Sequence, residues 1–386
     1  MLGRQEELSD LGRLLQTYPV VAILGPRQVG KTTLARELVK HRRGTATHLD
    51  LEKPADLGRL SDASITLDRM RGLVVIDEVQ RRPELFPLLR VLADRPRKPA
   101  RFLLLGSASP ELLKQSSESL AGRIAYRELG GLRMRDVGAS RWRKLWLRGG
   151  FPRSYLARSD KESFEWREQL VRAFLERDIP QLGFAVPAST MERFWSMLAH
   201  YHGQIWNASE LARSFGMAHT TMRRYLDLLR DTFMVRVLQP WAENLGKRVV
   251  KSPKIYLADA GLLHALLGIH DAHDLERHPK LGASFEGYAL SEVTSQLGAG
   301  PRECFFWATH QGAELDLLVV RGRRKLGFEF KHTDAPGITA SMRIALQDLQ
   351  LERLDVIHAG AESYPLSEKI RAVSIARLAL DLQRLK

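Results

Sequence analysis

The sequence predicts an α/β protein: a parallel sheet with helices on both faces, then a helix-turn-helix with a β-wing, then a second α/β region. Three observations carry that prediction. In "VVAILGPRQVGKTTLARELVKH" (20–41) a buried strand runs into a glycine-rich loop and then a helix. Two further apolar strands, "GLVVIDEVQ" (72–80) and "RFLLLGSAS" (101–109), alternate with helical stretches, the pattern of a parallel sheet with its ligand at the strand ends. Near the C-terminus a long helix (283–297) precedes strand-period runs that end in "FEFK" (328–331).

The first loop fits G-x-x-x-x-G-K-[ST] through Gly25, Gly30, Lys31 and Thr32. Glycine is needed where backbone N–H groups curl around phosphate oxygens. Lys31 is expected at the β- and γ-phosphates and the Thr32 hydroxyl on Mg²⁺, with Thr33 the next binding candidate. The helix N-terminus adds its partial positive charge. "VVIDE" delivers Asp77 and Glu78 at a strand's carboxyl end, the first to hold Mg²⁺ and the second to orient and polarise an attacking water. Ser107, ending the third strand, is the candidate γ-phosphate sensor.

These residues resemble the AAA+ ATPases, and among them a prokaryotic family whose ATPase core precedes a C-terminal domain without an assigned function. "GRQEELSDLGRLL" (3–15), "SLAGRIAYREL" (119–129), "LRGGFPRSYL" (147–156), "FLERDIPQLG" (174–183), "KIYLADAGLLHALLG" (254–268) and "EFK" are similar to its recurring stretches. The resemblance covers nearly the whole chain. It implies ATP and Mg²⁺ as ligands, Arg4 beside the adenine, an AAA+ core over 1–130, and a homo-oligomer as an open option. Arg123 is a candidate transition-state or subunit-bridging arginine; it reads as well as a surface arginine of a basic protein.

Residues 131–190 are rich in Arg and Trp with helical periodicity, consistent with a helical lid. Over 191–260 the order is helix, turn, helix, strand, strand. In "NASELARSFGMAHTTMRRYLDLLRDT" (207–232), Gly216 permits the turn, and Met222, Tyr225, Leu226 and Leu229 bury one face of the second helix. Its other face offers Arg223 and Arg224, and the loop between "FMVRVLQPW" and "KIYLAD" offers Lys247 and Arg248. A winged helix docks DNA this way, although the same module also packs between subunits. The formal charge of +14 favours a polyanionic partner. Cys304 is the only cysteine, no 18-residue apolar run occurs and the N-terminus lacks a signal-peptide core, so a cytoplasmic protein with no membrane partner is expected.

In the region 261–386, the helix "ASFEGYALSEVTSQL" (283–297) carries Glu286 near the middle of an apolar arc and Glu292 at its edge. A turn at Arg321–Arg324 would set Asp316 opposite Glu329, with Lys331 on the same face. Two opposed acids repel unless a cation stands between them. Glu286, Asp316, Glu329 and Lys331 together resemble the PD-(D/E)xK nucleases, with "ELD" in place of the commoner first motif. The resemblance implies acids that bind Mg²⁺ and a lysine that aids phosphodiester cleavage. The alternative is a hairpin with a solvated polar face, and such a domain also persists as an inert module. The expected function is an Mg²⁺-dependent ATPase coupled to DNA processing, with nuclease activity open. The alternative is a nucleotide-controlled switch or scaffold acting on a protein partner.

Overall fold

Strands that are apolar at every position must be covered on both faces, and the first sheet shows how. In the computed structural model, which describes residues 3–96, 100–106, 118–242 and 249–385, it has five strands. They are β1 (Val20–Leu24), β2 (Ala46–Asp50), β3 (Gly72–Asp77), β4 (Ala100–Gly106) and β5 (Ile124–Glu128), all parallel, in the order β2-β3-β4-β1-β5. Val20, Ala22, Val74, Ile76 and Phe102 point into one core, with Phe86 and Leu89 of the helix Leu85–Ala93. Val21, Ile23, Leu73, Val75 and Leu103 point into another, with Leu11 and Leu34 of the helices Gln5–Thr17 and Lys31–His41. This sheet lies in the first of two compact units, Met1–Gly131 with Asp231–Phe233; Leu132–Arg230 with Met234–Lys386 form the second.

The second unit holds a nine-stranded mixed sheet. Its strands are β6 (Gln204–Ile205), β7 (Val235–Pro240), β8 (Lys254–Leu257), β9 (Cys304–Ala308), β10 (Glu314–Arg321), β11 (Arg324–Lys331), β12 (Arg353–His358), β13 (Tyr364–Pro365) and β14 (Ile370–Ser374). The two strands read as a wing, β7 and β8, are antiparallel neighbours, and β7 also pairs in parallel with β9. The wing strands therefore belong to the same sheet as the C-terminal hairpin β10–β11.

Before the wing come the helices Ala208–Phe215 and His219–Asp231, joined through Gly216 in the left-handed region, φ 62°. Asn207 caps the first by accepting from Glu210 N, and Met222, Leu226 and Leu229 bury the second against Phe194, Leu211 and Ile255. Two stretches remote in sequence are clasped nearby. The half-buried Asp259 carboxylate accepts from Gly150 N at 2.7 Å and from Leu262 N at 2.9 Å, capping the helix Ala260–Leu266. Fully buried Arg167 donates to the Leu147 carbonyl at 3.3 Å and the Gly261 carbonyl at 2.7 Å. "LRGGF" and "LADAGLL" thus act on each other through hydrogen bonds, a structural use for both. Among the described residues no helix is long and apolar enough to cross a membrane.

Candidate nucleotide site and a buried acid cluster

The phosphate loop leaves the carboxyl end of β1 and ends at the helix Lys31–His41. A Cβ on Gly25 would stand 2.2 Å from the Leu129 carbonyl oxygen, and Gly30 adopts φ 100°, so both positions require glycine. Lys31, largely buried, turns its ammonium onto the Gly25 and Pro26 carbonyls, 2.8 Å each. Thr32 Oγ1 donates to Asp77 Oδ2 at 2.7 Å. A hydroxyl and a carboxylate held together are the hard oxygen donors that suit Mg²⁺, so the donor set fits that ion. Thr33 follows on the first turn of the helix.

Glu78 sits just beyond β3 with φ 56°, unusual for a residue with a side chain. Burial pushes its carboxyl up, while the hydrogen bond from Gln80 and the charges of Lys31 and Arg27 pull it down. Sequence reasoning passed over His48 on β2, whose Nε2 lies 3.9 Å from Asp77 Oδ2. A polar side chain in an edge strand gives little signal. Arg4 is buried and donates to the Gly130 carbonyl at 3.1 Å and the Val29 carbonyl at 3.2 Å, so it braces the loop.

Arg123 lies away from the phosphate loop of its own chain. It precedes β5 at the amino edge of the sheet, where its carbonyl accepts from Val20 N. The phosphate loop leaves the other end of β1, about 15 Å away at ~3.3 Å per residue. Arg123 forks onto Asp94 at 2.7 and 2.8 Å. Ser107, Lys247 and Arg248 lie outside the described residues. Arg223 and Arg224 are exposed on the second helix of the helix-turn-helix.

In the second unit the hairpin pairs Leu317 with Phe328 and Arg321 with Arg324, and Asp316 and Glu329 are the next residues beyond the last pair on their strands. Glu329 is nevertheless buried, and so are Phe328 and Phe330 on the other face. The solvated-hairpin alternative is thereby removed. Lys331 Nζ, half-exposed, lies 3.1 Å from Glu329 Oε2, and Asp316 Oδ2 accepts from Phe330 N at 3.1 Å. Glu286 reaches the same pocket from the helix Leu281–Leu297 and accepts from the Tyr256 hydroxyl at 2.6 Å.

The helical-arc expectation for the two glutamates is overturned. Glu292 is the more buried, its carboxylate accepting from Met134 N at 2.9 Å with Arg133 3.6 Å away. Glu286 keeps 17% of its side chain exposed. The helix is covered almost all round, so no single apolar arc exists to read.

A residue that sequence reasoning had given to the wing completes the cluster. Lys254, 3% exposed at the head of β8, sets its Nζ 3.4 Å from Glu286 Oε1 and 3.4 Å from Asp316 Oδ1, and pairs with Glu314. Burial alone would discharge it, but Tyr256, Glu286, Asp316 and Glu314 outweigh that and hold it as an ammonium. The signal available was a lysine opening an otherwise apolar strand. Burial, then Asp316, pushes Glu286 up to about 7 and Glu329 up to about 8. Four carboxyl groups face the ammonium groups of Lys254 and Lys331, and the raised Glu286 and Glu329 keep the cluster close to neutral around pH 7. The acids are oxygen donors of the kind that Mg²⁺ or Mn²⁺ takes, and in this structure the cation among them is the Lys254 ammonium.

Residues 17–138 match the AAA domain model, and residues 139–273 and 281–378 match two domains of unknown function, DUF8612 and DUF4143. The chain is 53% identical over 373 residues to the uncharacterized proteins Rv2008c of Mycobacterium tuberculosis and Mb2031c of Mycobacterium bovis, covering 97% of this chain and 84% of each relative. Among solved structures it is similar to the Walker-type ATPase PABY2304 of Pyrococcus abyssi, at 16% identity and TM-score 0.45 over 69% of this chain and 96% of that one. It is also similar to the RuvB Holliday junction branch migration motor of Thermotoga maritima, at 18% identity and TM-score 0.30 over 61% and 89%. With 97% of this chain and 84% of each relative aligned at that level of identity, the chain belongs to the same family as the two mycobacterial proteins, and it carries an AAA-type, ATPase-like domain in its N-terminal part.

Proposed function

We propose that the chain is an Mg²⁺-dependent ATPase that couples its turnover to work on DNA. The observation that carries the ATPase reading is the Thr32–Asp77 contact beside Lys31 at the end of a glycine-dependent loop. In this reading Lys31 exchanges the two loop carbonyls for the β- and γ-phosphate oxygens of ATP, along with the loop N–H groups. Thr32 and Asp77 hold Mg²⁺, which supplies charge neutralisation on the phosphates. Glu78 orients the water that attacks the γ-phosphorus, and Ser107 senses that phosphate. Arg4 and Thr33 border the nucleotide. Arg123, remote from its own loop, is assigned to contact between copies of the chain.

DNA is proposed as the partner because of the +14 charge and the exposed Arg223 and Arg224 on the second helix, with Lys247 and Arg248 between β7 and β8 in the sequence. Glu286, Asp316 and Glu329 are assigned to a divalent cation and Lys331 to the scissile phosphate, as in a PD-(D/E)xK-type nuclease. A second reading has its own observation: Lys254 already sits among the acids, which favours an inert C-terminal domain in a nucleotide-controlled switch acting on a protein. ATP turnover measured with linear, single-stranded and four-way DNA separates the two. Stimulation by any form supports action on DNA, and indifference to all three supports the switch.

A further inference from the structure

Buried carboxylates gathered from a helix and a strand need positive charge near them, because unpaired ions are costly away from water. Here that charge comes from β8, separated from β10 in the sheet by β9 and β7. We propose that Lys254 is the resident cation of the acid cluster, standing between Glu286 and Asp316 where a divalent ion would stand, so that such an ion binds only in competition with it. The inference rests on the reading of Glu286, Asp316 and Glu329 as a cation site.

Three features argue for it. The ammonium is equidistant, at 3.4 Å, from an oxygen of Glu286 on the helix and one of Asp316 on β10, the bridging position between the two elements. Its backbone is fixed on both sides, since Lys254 pairs with Ile205 of β6 and with Leu238 of β7, so the side chain is delivered from the middle of a three-strand ladder. Tyr256, two residues along the same face, donates to the Glu286 oxygen that meets Lys254 and holds that carboxylate in place. With 3% of the side chain exposed, the ammonium has no route to water without moving. A divalent ion bridging the same two oxygens would meet a like charge at close range. The pocket is thus assembled and neutralised in part without metal.

The test uses the full chain, free of nucleotide, with Mn²⁺ as the probe in wild type, Lys254→Met and the double variant Lys254→Met/Asp316→Asn. Titration calorimetry should show Lys254→Met binding Mn²⁺ at least roughly tenfold more tightly than wild type. The double variant should lose that gain, which separates it from any Mn²⁺ held at the phosphate loop. In EDTA, Lys254→Met should melt well below wild type and be restored by Mn²⁺, whereas wild type should respond little to either. Wild type binding Mn²⁺ in an Asp316-dependent way, with Lys254→Met binding no more tightly, overturns the inference and leaves the cation-site reading intact. Neither protein binding Mn²⁺ through Asp316 overturns the cation-site reading and the inference with it. If Lys254→Met is insoluble with and without Mn²⁺, Lys254→Gln carries the same expectations and the same refuting results.

Discussion

Glu329→Gln removes a charge that the fold holds at a cost. The carboxyl of Glu329 is pushed from its ordinary 4.5 to about 8 by burial and then by Asp316, against the pull of Lys331. Between those two pH values the native state keeps a proton that the unfolded chain has lost, so stability falls as pH rises through the window. Below 4.5 the group is protonated in both states and contributes no slope. Above 8 the native state carries the full cost of the buried charge. A shift of that size corresponds to at most roughly 5 kcal/mol at 1.36 kcal/mol per pH unit. Part of it is shared with Glu286, which titrates beside the same Asp316, and the Lys331 pair removed in the variant is half-exposed and worth under about 1 kcal/mol.

The expected net gain for Glu329→Gln is therefore about 2–3 kcal/mol at pH 8.5, shrinking to under about 1 kcal/mol at pH 5. At roughly 2–4 °C per kcal/mol for a unit of this size, the second unit should melt about 5–10 °C higher at the alkaline end. Thermal unfolding from pH 5 to 9 in EDTA reads this directly. If the variant follows the wild-type pH dependence, or is less stable at pH 8.5, Glu329 is not a strained buried carboxyl and the reasoning from its burial is wrong.

The paired change Arg223→Ala/Arg224→Ala should weaken DNA binding and flatten its dependence on log salt by about 2, one for each phosphate no longer neutralised; an unchanged slope in fluorescence anisotropy would make the helix-turn-helix a packing module. Asp259→Ala leaves Gly150 N and Leu262 N without their acceptor and uncaps a helix, so urea unfolding should show a loss of about 2–4 kcal/mol. A loss under ~0.5 kcal/mol would mean that the clasp between "LRGGF" and "LADAGLL" is incidental.

What could be read from the sequence was what local geometry determines. The phosphate loop is one strand, one turn and one helix, and Gly25, Gly30, Lys31 and Thr32 lie where the spacing puts them. The hairpin register up to Leu317 and Phe328, beside Asp316 and Glu329, was also legible, because a two-residue turn at Gly322 and Arg323 sets it. The strands β2 and β5 were not, because as edge strands they carry half-buried polar residues such as Thr47, His48 and Arg127 and lack an apolar run. Lys254 was illegible for a different reason. It lies 62 residues before Asp316, and only the pairing of β7 with both β8 and β9 brings it to the cluster. Glu292 and Glu286 exchanged their expected burial because helices on the outer side cover the face that an amphipathic pattern assigns to water, as Trp146 does in stacking on Tyr288 and meeting Phe285 edge-on.

Phosphate release from ATP by the purified chain in Mg²⁺, set beside Lys31→Ala and Glu78→Gln, bears most directly on the central claim. Wild type should turn over ATP and lose that activity in EDTA. Lys31→Ala should bind ATP weakly, since nothing else in the loop supplies the ammonium. Glu78→Gln should bind ATP normally and turn it over roughly 100-fold or more slowly. Wild-type turnover in Lys31→Ala, or no turnover by wild type with or without DNA, would contradict the assignment of this loop as the site of ATP hydrolysis.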